Sequence, residues 1–333
     1  MYIRDDRKFS TTLPLQAYGR ELAAKRKPLS SDPSRLAERN KAFRENLIEL
    51  LGGFPEQKCP LNPVKVFETD VGTHVIERVY FDSEPSATVP ALIYRPKEKT
   101  QGRRPAIILA HGYPQRKEEI FSGFKADMVK AGYLILSFDV LSHGERRVVA
   151  NTPEDTFNAI GYSLAVGKPF FSMTTWDIMR TVDYLENRDD VDPERIGIIG
   201  LCMGGQQVWY AGALESRLKV CVIVCGTSTY EAMVLEMAPY HSHCLFTYVP
   251  GILRYGDTQD ILALIAPKPL LIMNNYNDTW FPVSGYKKVC EELEAVYSAF
   301  GAPERFEHII RDTVHDITPE FGGEARKWFE KWL

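Results

Sequence analysis

From residue 64 onward, short apolar runs are separated by glycine, proline and charge, and the pattern of separation changes once along the chain. Val64 to Phe67, His74 to Phe81 and Val89 to Tyr94 are β-rich runs with turn residues between them, which predicts an antiparallel start to a sheet. Beyond them, Ala106 to Ala110, Tyr133 to Phe138, Ile196 to Leu201, Val220 to Val224 and Pro269 to Met273 alternate with longer amphipathic segments. That alternation predicts a mainly parallel sheet covered by helices on both faces. Upstream, Leu36, Phe43, Leu47, Leu50 and Leu51 recur at helical spacing, with breaks at Lys27-Pro28 and Asp32-Pro33, so residues 1–60 read as a helical extension and 61–333 as the α/β domain. Two connections are long, roughly 141–174 and 226–266. Long ordered connections usually serve as lids or binding loops, and 226–266 is expected to be a cap insertion.

Composition narrows the function class. With 333 residues, 44% hydrophobic and 25% charged, the chain can bury one large core. A net charge of −4 with scattered basic residues gives no electrostatic footprint for nucleic acid or an anionic membrane. The N-terminus is charged from the start, and no stretch reaches the roughly 18 apolar residues of a membrane span. The expectation is therefore a soluble, cytoplasmic protein acting on a small molecule, with a homo-oligomer left open. The six cysteines are irregularly spaced, which suits a reducing compartment. Cys221 and Cys225 lie on an apolar strand and read as core. His241-Ser242-His243-Cys244 lacks a second pair of ligands, so no metal site is expected there.

The densest chemical signal is Gly200-Leu201-Cys202-Met203-Gly204-Gly205, which follows the strand-like Arg195 to Ile199 and precedes a helix-compatible run, Gln206 to Leu214. A sharp strand-to-helix turn strains its central residue and crowds the positions two either side, so glycine is required there. Gly200 and Gly204 fill those positions, which makes this a nucleophile elbow with cysteine at the apex. The helix N-terminus beneath favours thiolate over thiol. A phosphate-binding turn would need a different glycine spacing or a following lysine. An ordinary buried thiol is the competing reading of Cys202.

An α/β-hydrolase supplies its acid and then its histidine after the nucleophile. Lys268 to Met273 reads as a strand, and Asn274 to Asp278 leaves its C-terminal end. After a helix near Gly285 to Phe300, the strand-like run Arg305 to Ile310 leads to Asp312-Thr313-Val314-His315-Asp316. The candidate triad is thus Cys202, His315 as base and Asp278 as the orienting acid. Asp312 and Asp316 compete for the acid role, and His308 reads as structural. The backbone N–H groups of Met203 and of Tyr113, which follows a strand ending in His111-Gly112, are the candidate oxyanion donors, with the His111 side chain bracing the loop. Arg146 and Trp280 are candidate substrate contacts. Arg116, Lys117 and Arg147 could also draw a carboxylate, against the alternative of simple surface solvation. Tyr240, Phe246 and Tyr248 suggest a partly aromatic pocket.

With these residues assembled, Arg35 to Leu333 resembles the dienelactone hydrolase superfamily of α/β-hydrolases, in its acetyl-xylan-esterase-like branch. The resemblance rests on His111-Gly112-Tyr113, Phe138-Asp139 with Gly144-Glu145-Arg146, Trp176-Asp177, Asp192 to Gly197, the elbow, Pro250-Gly251, Ala266 to Pro269, Asp278 with Phe281-Pro282-Val283, and His315. It implies an α/β-hydrolase fold and cleavage of a small ester, lactone or thioester through an acyl-enzyme, without metal or organic cofactor. Cys202 departs from the serine of esterase-like members and matches the dienelactone hydrolase nucleophile. Val314 departs from the usual glycine before the histidine. Transfer of the acyl group to an acceptor other than water, or a non-catalytic thiol-sensing role for Cys202, are the alternative readings.

Overall fold

In the computed structural model, which describes residues 12–98, 102–147, 153–235, 245–315 and 318–333, nine strands form one twisted sheet. The three β-rich runs become β1 (Val64–Asp70), β2 (Val75–Glu84) and β3 (Ala87–Arg95), paired antiparallel as expected. The later runs become β4 (Arg104–Ala110), β5 (Leu134–Phe138), β6 (Val191–Leu201), β7 (Val220–Val224), β8 (Leu270–Asn275) and β9 (Phe306–Arg311). From β5 to β9 every neighbouring pair is parallel, in the order β5-β4-β6-β7-β8-β9. The chain lays β5 on one side of β4 and then crosses to place β6 on the other. A crevice opens at such a reversal, outside the carboxyl ends of the strands. Both the loop after β4 and the elbow after β6 leave the sheet there.

The parallel strands are apolar because both faces are covered. On one face, Ile108, Leu136, Ile198, Ile223 and Ile272 pack with α5 (Phe170–Glu186), α6 (Met203–Leu214), α8 (Thr258–Ala263) and α9 (Val283–Ala299). On the other, Ile107, Ile135, Ile199, Val222 and Leu271 pack with α3 (Ser122–Lys130) and α10 (Pro319–Trp332). The N-terminal extension contributes α1 (Thr12–Lys25) and α2 (Pro33–Leu50). Asp32 caps α2 by accepting from the Ser34 and Arg35 backbone N–H groups at 2.9 and 3.0 Å. Leu36, Phe43, Leu47 and Leu51 are fully or nearly buried in the first of these cores, at roughly 1.5–3 kcal/mol each. The extension therefore packs on its own domain, and Arg26 secures it by bonding Asp260 and Glu292.

Two long connections contain more regular structure than their sequences suggest. Within 141–174, residues 153–165 form α4 (Pro153–Ala165), and α5 begins at Phe170. Helix α4 leaves Phe157, Tyr162 and Leu164 exposed, so its apolar residues do not mark one inward stripe. Within 226–266 lie α7 (Tyr230–Leu235), two short 3-10 turns and α8. Asp257 joins α7 to α8: its carboxylate accepts from the N–H groups of Tyr230, Glu231 and Thr258 at 2.6, 3.2 and 2.6 Å. His241, His243, Cys244 and Tyr240 lie outside the described residues. Among the described residues, no helix is long and apolar enough to cross a membrane.

Candidate active site

The bend at Cys202 is enforced by backbone crowding. Cys202 has φ 57° and ψ −116°, a conformation costly for a residue with a Cβ, and it is held by its N–H on the Val224 carbonyl and its carbonyl on the Gln206 N–H. A Cβ on Gly200 would lie 2.1 Å from the Gly204 oxygen, and one on Gly204 would lie 1.9 Å from the Ala110 oxygen. No side chain larger than hydrogen fits either place. Gly226, at the end of β7, is under the same restriction, since its Cβ would lie 2.8 Å from the Cys202 oxygen. The elbow glycines follow from the turn itself, whereas the need at Gly226 comes from a neighbouring strand and has no local signal.

Asp278 and His315 are brought together from adjacent strand ends. Tyr276 and Asn277, leaving β8, bond the carbonyls of Arg311 and Thr313, leaving β9, at 2.7 and 3.1 Å. The buried Asp278 carboxylate accepts from the Trp280 and Phe281 N–H groups through Oδ1, at 2.8 and 3.1 Å. Its Oδ2 meets His315 Nδ1 at 2.7 Å. The His315 ring stacks on Phe281 at 5.9 Å and 16°, and the partly exposed Cys202 is near enough to act on its charge. Burial pulls the His315 pKa down, but the bond to Asp278 and the influence of Cys202 outweigh it and lift it to about 10. Asp312 instead accepts from Asn277 Nδ2 at 3.0 Å, Asp316 lies outside the described residues, and His308 bonds Glu294 at 2.9 Å.

Met203 is the first residue of α6, directly beside the thiol. On the loop after β4, the Gly112 N–H bonds Gln115 Oε1 at 3.2 Å. A Cβ on Gly112 would lie 3.2 Å from Cys202 Cβ, so this loop comes up against Cys202. The next residue, Tyr113, packs its ring against His143 and Phe246, and Phe246 in turn meets Phe170 and Phe171. His111 is buried, with its ring tied to backbone on both sides, as a bracing residue should be.

The basic residues have other partners. The Arg146 guanidinium pairs with Asp177 at 2.5 Å and is almost entirely buried, so its charge is committed within the fold and not held out to a ligand. Lys117 is buried between Asp139 and Glu145, each at 2.5 Å, where it joins the loops that follow β4 and β5. Neither surface solvation nor ligand attraction describes it. Arg116 pairs with Glu119. Trp280 is half-buried on the acid loop, next to Phe281. Sequence reasoning did not single out Gln115, His143 or the stacking of Phe281 on His315, because each depends on a contact between separate loops.

Comparison with known proteins bears on the fold and the family. Residues 89–300 match the family model described as "Dienelactone hydrolase family". The Bacillus subtilis (strain 168) protein YtaP is 30% identical over 302 residues, spanning 87% of this chain and 98% of its own length. Among solved structures, "Methylesterase BT1017" superposes with a TM-score of 0.77 at 17% identity, covering 99% of this chain and 72% of its own. An acetyl xylan esterase from Paenibacillus sp. R4 gives 0.64 at 18% identity, covering 94% of this chain and 99% of its own. A mainly parallel sheet whose strand order reverses at β4, a strained strand-to-helix elbow and the matched family model converge on one assignment: the chain belongs to the dienelactone hydrolase family and is an α/β-hydrolase acting on ester bonds.

Proposed function

We propose that this enzyme cleaves a small carboxylic ester, lactone or thioester through a thioester acyl-enzyme on Cys202. The observation that carries the reading is the Asp278–His315 hydrogen bond, with the imidazole's charge influenced by a cysteine held at a strained strand-to-helix bend. The imidazole takes the thiol proton, and Cys202 Sγ attacks the carbonyl carbon while the Met203 and Tyr113 N–H groups receive the developing oxyanion. Collapse expels the alcohol or thiol, which takes its proton from the imidazolium. Water, deprotonated by the same imidazole, then attacks the thioester and restores Cys202 and the free acid.

Asp278 keeps Nδ1 as the donor nitrogen, which leaves the other nitrogen to exchange protons, and it stabilises the imidazolium. A thiolate leaves more readily than an amine, so amide adducts collapse backwards, whereas esters, lactones and thioesters go forward. The test is intact-mass measurement after incubation with a panel of activated esters and lactones, followed by peptide mapping. An acyl adduct on the Cys202 peptide, absent in Cys202→Ala, is expected. Full turnover by Cys202→Ala would overturn the reading.

A further inference from the structure

Two buried imidazoles that this mechanism does not use hold the loop carrying the Tyr113 N–H. His111 bonds within its own loop, Nδ1 to the Gly112 carbonyl at 3.0 Å, and across to the next loop, where Nε2 receives the Val140 N–H at 3.2 Å. Accepting at Nε2 requires that nitrogen to be unprotonated, so Nδ1 is the donor. His143, on the loop after β5, is fixed likewise: Nδ1 donates to the Leu141 carbonyl at 2.9 Å, and Nε2 is buried without a partner. The two rings lie 5.2 Å apart, and Tyr113 rests on His143 edge to face at 5.6 Å. Burial pulls both imidazoles down to about 4, with His111 adding to the effect at His143, so both are neutral. Nearby charges are Lys117, Glu118 and Glu119 around His111, and Arg147 and Asp139 around His143.

We propose that His111 and His143 are positioning residues: a neutral two-imidazole bracket that fixes the oxyanion loop, and with it the Tyr113 N–H, against Cys202. The proposal rests on the catalytic reading above. Its force comes from the lack of slack in the loop. Gly112 stands against Cys202 Cβ and the Leu201 carbonyl, and its N–H is pinned by Gln115. With that side closed, the remaining freedom of Tyr113 is set by the surfaces its ring rests on, His143 edge to face and Phe246 at a tilt. A misplacement of about 1 Å in such a group can cost roughly 100-fold in rate.

The experiment compares two reactions of the full chain: turnover of p-nitrophenyl acetate, which needs the oxyanion donors, and alkylation of Cys202 by iodoacetamide, which needs only the activated thiol. His143→Ala is expected to lower kcat roughly 10- to 100-fold while KM and the alkylation rate stay within about twofold. His143→Phe, which restores a ring under Tyr113, is expected to recover most of kcat. Unchanged kcat in His143→Ala, a parallel fall in kcat and alkylation, or no recovery in His143→Phe would each overturn the bracket. If alkylation of the parent enzyme leaves turnover intact, the fault lies instead in the assignment of Cys202.

Discussion

The bend that carries Cys202 and the pair of loops that carry Asp278 and His315 reach their geometry by different means. At the bend, backbone packs on backbone: Gly200 against Gly204, Gly204 against Ala110, and Gly226 against the Cys202 carbonyl. At the loops, side chains take over, through Asp278 bonded to His315, Phe281 stacked beneath the ring, and Asn277 tied to Asp312. The first arrangement cannot be altered without moving strands. The second can lose one atom and keep its fold. Placement of Cys202 and stability are therefore coupled in this molecule, while orientation of the His315 ring is separable from both.

The largest effect that separates them is at the acid. Asp278→Asn keeps an oxygen for the Trp280 and Phe281 N–H groups but can present an amide to His315 Nδ1, favouring the wrong tautomer. Turnover of an activated ester is expected to fall by roughly 10³- to 10⁴-fold, with the urea midpoint little changed. If unfolding shifts as much as activity, the loops are not separable and the contrast fails. The converse change is Gly204→Ala. Its Cβ would meet the Ala110 carbonyl, so the expected result is a loss of about 4 kcal/mol or more, or no soluble protein, measured by urea denaturation. A stable Gly204→Ala enzyme would mean that the elbow has more room than the backbone contacts indicate.

A third region sharpens the contrast, because it too is built by side chains like the loops. The Asp257 carboxylate serves the first N–H groups of both α7 and α8, and its burial raises its pKa to about 6 despite those three bonds. Asp257→Ala leaves them unpaired and is expected to cost about 2–3 kcal/mol by denaturant titration, while Cys202 alkylation keeps its rate. Slowed alkylation would show that the 226–266 stretch also bears on the nucleophile.

What could be read from the sequence follows the same division. All nine strands and the elbow were legible, since an apolar run or a glycine two positions from a bend is imposed by neighbours along the chain. Asp278 and His315 were legible as positions at strand ends, paired by their order after the elbow, though the support of Phe281 under the ring was not. Helix α4 was hidden because Phe157, Tyr162 and Leu164 stay exposed, so no inward stripe announces it. Lys117 and Arg146 were read as solvent- or ligand-facing because their partners, Asp139 and Glu145 in one case and Asp177 in the other, stand 22 to 31 positions away. Charges buried in pairs resemble exposed charges until the loops are seen together.

The loop after β4 combines both modes, with Gly112 wedged against the elbow and His111 and His143 set beside it through side chains, and its acid response distinguishes their shares. A histidine whose folded pKa is depressed to about 4 from an ordinary 6.5 binds fewer protons folded than unfolded between those values. Stability contributed by keeping such a ring neutral is full above pH 6.5 and declines as pH falls toward 4, by about 1.4 kcal/mol per pH unit for each proton of difference. His143→Phe removes one such group. Its stability is therefore expected to fall less steeply than that of the parent between pH 6 and 4.5, by at most about 1.4 kcal/mol per unit, in urea titrations at successive pH values. Equal slopes would mean that His143 is protonated without cost. The loop would then owe its shape to Gly112 and the backbone, as the elbow does, and not to the imidazoles.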